Sequence, residues 1–148
     1  MHVLMIAAEN DAIPGAKVGG VADVVRDLPK ALPNHDVSVD VVIPDYGHYA
    51  QKFESRQLAS VKVEFAAQIE TVTLFELFLP ETPNKVRQFV LQHPLFGQGG
   101  HVYSHDEGKR PFATDATKYA LLNLAVCQLL IESKFTLPHV LHLHNRHK

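Results

Sequence analysis

A strand–helix–strand pattern near the start of the chain constrains the fold most. Residues 2–8, HVLMIAA, form a continuous apolar run, which is typical of a strand buried on both faces of a parallel sheet. Apolar residues then recur at helical spacing over residues 20–32, where Pro29 is expected to kink the helix or end its regular part. A second strand is predicted at 37–44, VSVDVVIP. A helix between two such strands is a right-handed βαβ unit, so the pattern predicts an α/β fold.

The rest of the chain extends the same sheet. Alternating runs at 61–66 and 71–80 predict an antiparallel hairpin, and another strand is expected at 85–92. Residues 93–112 are dense in Gly, His and charge and are expected to be a loop. A long helix is predicted over 113–134, followed by a last strand at 139–144.

These elements predict one α/β domain over residues 1–148: a doubly wound, mainly parallel, Rossmann-like sheet with a β-hairpin insertion. The 46% apolar and 20% charged residues are ordinary for a globular protein, and the net charge of −2 gives no basic surface for nucleic acid. No apolar run has the length of a membrane span. The one cysteine, Cys127, is expected in the core and fits a reducing, cytoplasmic location.

The segment AKVGG at 16–20, directly before the first helix, has the parts of an anion site. Amides at a helix N-terminus are unpaired and carry partial positive charge, and Gly19 and Gly20 would expose them without side chains in the way. Lys17 would add an ammonium group, although the segment is neither a Walker loop nor G-x-G-x-x-G. Local chemistry leaves two readings open: a phosphate site, or a tight turn beside a solvated lysine.

Five segments resemble those of bacterial glycogen synthases and plant starch synthases in order and spacing. The most specific is KVGGVADVVRDLPKAL at 17–32, which is similar to the K-x-G-G-L-A-D-V-V…L-P-K-A-L opening of that family. The other four are VVIPDYG (41–47), HPLFGQGGHVYS (93–104), FATDATKYALL (112–122) and PHVLHLHNRHK (138–148). Together they cover essentially the whole chain.

The resemblance implies the N-terminal, acceptor-side domain of a GT-B glycosyltransferase of family 5. Such enzymes transfer glucose from ADP-glucose or UDP-glucose to the non-reducing end of an α-1,4-glucan with retention of configuration, and neither a metal nor a cofactor is implied. The donor-binding domain would be missing, so the isolated chain is expected to be inactive. The alternative is a non-enzymatic, flavodoxin-like module that binds phosphate or a nucleotide. Self-association through bare apolar surface is a further expectation.

The resemblance also implies roles for the residues around the glycines. Lys17, Gly19 and Gly20 would bind the diphosphate of the donor, and Lys17 would act in catalysis by neutralising charge on the departing group. Asp23 matches a family aspartate expected to hydrogen-bond in the cleft. It is equally well explained as a first-turn carboxylate favoured by the helix dipole.

Four more residues are expected at the same rim of the sheet. Tyr103 matches a family tyrosine near the donor sugar, and Glu9 would contact acceptor hydroxyls or be a solvated loop acid. Asn145 stands where the family has a functional carboxylate, and an amide can neither carry that charge nor accept a proton. His144, next to it, is assigned to the acceptor side.

Ten histidines raise the question of zinc. His142 and His144 share one face of the last strand by their spacing, with His101 and His147 as candidate neighbours. A zinc site requires three or four converging ligands, whose side chains are oriented by further hydrogen bonds. Histidines at the rim of a sugar cleft, or in solvent, are the favoured interpretation, so no metal site is expected.

Overall fold

A computed structural model describes residues 1–97, 102 and 111–144, without the side chains of residues 111–114. It shows an α/β fold built on one six-stranded sheet in the order β3-β4-β5-β2-β1-β6. In chain order the elements are β1 (His2–Ile6), α1 (Gly20–Ala31), a 3₁₀ turn (Leu32–His35), β2 (Ser38–Pro44), α2 (Tyr49–Lys52), β3 (Ser55–Phe65), β4 (Gln68–Leu77), β5 (Val86–Gln92), α3 (Pro94–Gly97), α4 (Pro111–Ile131) and β6 (Val140–Leu143).

The sheet is parallel through its centre and antiparallel at one side. Strand β1 pairs in parallel with β2 and β6, and β2 pairs in parallel with β5. The β3–β4 hairpin adds to β5 in the antiparallel sense. The predicted fold class, a mainly parallel α/β sheet with a hairpin insertion, is therefore confirmed.

Each face of the sheet carries its own core. Met5 of β1 packs on the α1 side with Val25, whereas Leu4 packs on the α4 side with Leu121. Neighbouring residues of β1 thus alternate between two apolar environments, because helices cover both faces. This explains why the run at 2–8 shows no polar alternation.

Several element boundaries differ from the prediction. Helix α1 continues through the buried Pro29 to Ala31, where the 3₁₀ turn takes over. Strand β3 begins at Ser55, six residues early, because its first half is polar and exposed and carries no alternation signal. Cys127 is exposed, so its assignment to the core is wrong: it lies on the outer face of α4, while Val126 is buried against the sheet.

The carboxyl ends of the parallel strands meet at one rim, where ligands bind in sheets of this kind. The loop from Ala7 to Gly19, the start of the 45–48 loop and the end of β6 all lie there. Within the described parts of the chain, no helix combines the length and the apolar composition needed to cross a bilayer.

Candidate functional site

The two adjacent glycines lie where the first loop becomes helix α1. Gly19 is the N-cap residue in an extended conformation, and Gly20 begins the helix. Neither has the positive φ that favours glycine, which Gly15 does have at 90°. A Cβ on Gly19 would approach no atom closer than 3.7 Å, and one on Gly20 would meet nothing within 4 Å. Steric clash therefore does not require glycine at either position, although Gly19 suits an N-cap, where glycine is favoured over alanine.

A buried carboxylate already occupies part of this helix N-terminus. Glu9 is only 2% exposed, and its Oε2 accepts hydrogen bonds from the amides of Val18 at 2.7 Å and Gly19 at 3.0 Å. The reading of Glu9 as a solvated loop acid is therefore wrong. Its contact with an acceptor sugar stays a prediction.

Two helix amides remain available beyond those that Glu9 uses. Among the described residues, the N–H groups of Gly20 and Val21 have no acceptor, and α1 has no side-chain cap. Unpaired first-turn amides are the donors that helices offer to anions. Gly20 is also exposed, so an external group can approach its main chain directly.

Lys17 lies beside these amides but is held by carboxylates. Its Nζ is 2.6 Å from Asp23 Oδ1 and 3.8 Å from Asp11 Oδ2, and Arg26 contacts both aspartates. The hydrogen bond between Lys17 and Asp23 raises the pKa of Lys17 and lowers the pKa of Asp23. Lys17 is thus a charged, 43%-exposed ammonium group whose pairing is open to solvent and to salt. Asp23 is both a first-turn carboxylate and the partner of Lys17.

Two tyrosines, one in the loop after β2 and one at the start of α2, hold the first loop in place. Tyr46 donates from its hydroxyl to the carbonyl oxygen of Ala8 at 2.7 Å, and Tyr49 donates to that of Gly15 at 3.5 Å. Burial, followed by a nearby aspartate, raises the pKa of Tyr49 to about 12, so its hydroxyl remains a donor. Gly47 is required between them, because a Cβ there would lie 2.8 Å from the Tyr49 ring.

A buried lysine supports Tyr46 from helix α4. The ammonium group of Lys118 lies 5.8 Å from the centre of the Tyr46 ring, and the residue is 1% exposed. Burial lowers the pKa of Lys118. Tyr46, Tyr49 and Lys118 were not predicted to contribute to this site. For Lys118 the available signal was a lysine on the inward side of an apolar helix.

The last strand brings its histidines to the same rim. The rings of His142 and His144 lie 4.3 Å apart with a 30° tilt, as their spacing predicted. The amide of His144 donates to the carbonyl oxygen of Ile6 at 3.0 Å, at the end of β1. Burial, with a smaller effect from His142, lowers the pKa of His144. No group of three metal-ligating side chains occurs among the residues that the structure describes.

The structure thus brings together five of the predicted site residues in one loop and helix start: Glu9, Lys17, Gly19, Gly20 and Asp23. His144 lies at the end of a strand on the same rim. Tyr103 and Asn145 lie outside the described residues, as do His101 and His147. The roles assigned to all of them stay predictions.

The fold and this rim define a class of protein: an α/β domain whose candidate ligand site lies at the carboxyl ends of parallel strands. More particularly, the chain belongs to the starch synthase catalytic domain family, whose profile matches residues 2–148.

Individual relatives agree with this assignment. The chain is 31% identical to a glycogen synthase from Gloeobacter violaceus over 147 residues, which are 99% of this chain and 29% of that protein. It is 31% identical to a glycogen synthase from Streptococcus gordonii over 150 residues, 99% of this chain and 28% of that protein.

A solved structure shows the same fold. The catalytic domain of starch synthase IV from Arabidopsis thaliana, bound to ADP and acarbose, matches with a TM-score of 0.74 and 26% identity over 97% of this chain and 28% of that chain. The match confirms that the fold is part of a GT-B catalytic domain. The chain spans less than a third of the length of these relatives.

Proposed function

We propose that this chain is the N-terminal, acceptor-side domain of a glycogen- or starch-synthase-type glucosyltransferase. In the complete enzyme, ADP-glucose or UDP-glucose would be the donor, the non-reducing end of an α-1,4-glucan the acceptor, and configuration would be retained. Membership of the family supports this proposal, as does the relative that binds ADP and acarbose.

One observation carries the proposal: Gly20 leaves open space at the helix start that the chain itself does not need. At Gly20, inside the first helical turn, glycine carries a conformational-entropy cost relative to alanine, which would fit there, whereas at the N-cap Gly19 glycine is itself favoured over alanine. Bare main chain at this point suits close approach by an external group. The unpaired amides of Gly20 and Val21 suit a negatively charged one, such as the diphosphate of a nucleotide sugar.

The same geometry supports the proposed role of Lys17. Because the Lys17–Asp23 pair is exposed, the ammonium group can exchange Asp23 for a more highly charged diphosphate. As the bond between the sugar and the diphosphate breaks, negative charge grows on the departing oxygen. Lys17 and the two amides would stabilise that charge, at about 3 kcal/mol per donor in a closed site.

The proposal includes a polypeptide partner. The relatives contain more than twice as much chain again, and a donor-binding domain within it would complete the active site, so the isolated chain should transfer no glucose. Strand β6 is a sheet edge with Leu141 50% and Leu143 63% exposed, which favours pairing with further structure or self-association. We place the protein in the cytoplasm, in keeping with its single, exposed thiol.

The carrying observation is tested with Gly20→Ala. Titration calorimetry with ADP should show a loss of about tenfold or more in affinity, because a methyl group would hold the phosphate off the amides. Thermal unfolding should be unchanged or slightly raised, since alanine favours the helix. A matched control is Gly97→Ala, where the added Cβ also meets nothing within 4 Å.

Unchanged ADP affinity in Gly20→Ala would contradict the proposed site. The flavodoxin-like alternative is tested with maltoheptaose and radiolabelled ADP-glucose. ADP binding that depends on Lys17, together with no response to maltoheptaose, would favour the simple nucleotide-binding module. Transfer of labelled glucose by the purified chain alone would contradict the proposal that a partner domain is needed.

A further inference from the structure

We infer that Glu9 is a positioning residue that clips the glycine loop to the end of β1, so that the outward amides of Gly20 and Val21 are held ready for an anion. This inference rests on the proposed function for the identity of the anion. The clip itself is a property of the chain alone. It differs from the role first expected for Glu9, a contact with acceptor hydroxyls.

The geometry of Glu9 is that of a buried internal acceptor. One oxygen, Oε2, accepts from two consecutive amides, those of Val18 and Gly19, at 2.7 and 3.0 Å. The side chain is almost fully buried, whereas Val18 and Lys17 on either side of the loop are exposed. Among the described residues and outside the regular hydrogen bonds of α1, the main chain of residues 17–19 makes one other hydrogen bond, in which the Gly19 carbonyl accepts from the amide of Ala22.

The clip also divides the helix N-terminus between two anions. Charge-assisted hydrogen bonds from amides to a carboxylate are stronger than neutral ones, so the Val18 and Gly19 donors are committed to Glu9. An external phosphate must therefore use the next two amides, and it would lie beside the negative charge of Glu9. The carboxylate thus fixes the loop but opposes the ligand electrostatically.

These two effects are separable because glutamine and methionine have nearly the same length as glutamate. In Glu9→Gln the charge is lost but an oxygen acceptor remains. In Glu9→Met both are lost while the volume of the side chain is kept. The ratio of the anion affinities of Glu9→Gln and Glu9→Met therefore isolates the effect of the hydrogen bonds. The ratio of the affinities of Glu9→Gln and the unaltered chain isolates the effect of the charge.

The experiment uses the whole 148-residue chain labelled with ¹⁵N. Hydrogen exchange of the Val18 and Gly19 amides is measured first, without ligand, and should be roughly tenfold faster in Glu9→Met than in Glu9→Gln. Binding of inorganic phosphate and of ADP is then measured from the changes in amide chemical shifts during titration. Glu9→Gln should bind about fivefold more tightly than the unaltered chain, and Glu9→Met about tenfold more weakly than Glu9→Gln.

Glu64→Gln is the matched control, because it removes the same charge from an exposed position on β3 at the far edge of the sheet. It should leave exchange and binding as they are. Equal exchange rates in Glu9→Gln and Glu9→Met would overturn the clip, and equal phosphate affinities in these variants would overturn its role in positioning.

Two outcomes separate this inference from the proposed function. If the unaltered chain binds neither phosphate nor ADP, the proposed function fails, while the exchange rates still decide whether Glu9 holds the loop. If Glu9→Met does not fold, the exchange rates of the Val18 and Gly19 amides in Glu9→Gln are compared with those in the unaltered chain instead. A neutral acceptor is weaker, so exchange of Val18 and Gly19 should rise severalfold, and unchanged rates would overturn the clip.

Discussion

Two charge networks lie at opposite ends of the parallel strands, and they differ in burial and in how fully they are satisfied. At the amino ends, Asp40 is buried and accepts hydrogen bonds from Arg87 at 2.7 and 2.8 Å, and its Oδ2 lies 3.0 Å from Nε2 of His2. At the carboxyl rim, Lys17 and Asp23 form a pair in which each side chain is about two-fifths exposed. The carboxylate of the first network is closed to solvent although Arg87 is 43% exposed, whereas both side chains of the second pair are open to it.

This difference assigns the two networks different tasks. Both oxygens of Asp40 contact side chains of β1 and β5, so Asp40 ties three strands together, and at 1% exposure it is inaccessible to a ligand. The exposed pair of Lys17 and Asp23 contributes little to folding and can be rearranged. Similar residue types therefore stabilise the sheet at one end and form part of the proposed ligand site at the other.

The largest effect is expected at the closed network. Asp40→Asn leaves Arg87 and His2 facing a neutral amide in a buried position, and should lower the free energy of unfolding by about 2–4 kcal/mol. Urea denaturation followed by circular dichroism measures this. Asp36→Asn, which removes an exposed partner of Lys85, is the control and should leave the urea midpoint where it is. A midpoint equally insensitive to both changes would contradict the contrast between the networks.

The next effect is expected in binding and not in stability. Lys17→Ala should weaken ADP binding about tenfold at low salt and less at high salt, because it removes a charge-assisted contact that ions screen. The urea midpoint should not change. Lys62→Ala removes an exposed lysine from β3 and serves as the control in calorimetric titration.

Asp23→Asn sharpens the same contrast. It releases Lys17 from its carboxylate partner, so ADP should bind about twofold to threefold more tightly. Weaker ADP binding in this variant would mean that Asp23 acts on the ligand itself. That result would favour the alternative role expected for Asp23, a hydrogen bond in the cleft.

The smallest effect concerns pH at the rim. Burial lowers the pKa of His144 in the folded chain, whereas the unfolded chain takes up this proton near the ordinary value of about 6.5. The folded state therefore binds fewer protons, and its stability should fall as the pH drops below that value. In His144→Gln, the decline in unfolding free energy from about pH 7.5 to about pH 5 should be shallower; an identical decline would show that His144 does not contribute.

The sequence was most informative where local pattern and burial coincide. The βαβ unit followed from apolar runs that the two-sided core requires, and the glycine loop from its position before a helix. The tyrosine hydroxyls that hold the loop were not predictable, because Tyr46 and Ala8 are 38 positions apart and no local pattern links them. The burial of Glu9 was missed for a related reason: a charged residue in a polar loop gives no sign that two amides will enclose it.

The position of strand β6 at the edge of the sheet predicts which part of the chain unfolds first. Within the described ranges it is paired with β1 on one side only, and Leu141 and Leu143 are 50% and 63% exposed. Such a strand should detach before the rest of the sheet and be the first place where a protease cuts. Because His144 follows it directly, fraying of this strand would carry a rim histidine away from the glycine loop, and whatever covers β6 would therefore also govern how long the candidate site stays assembled.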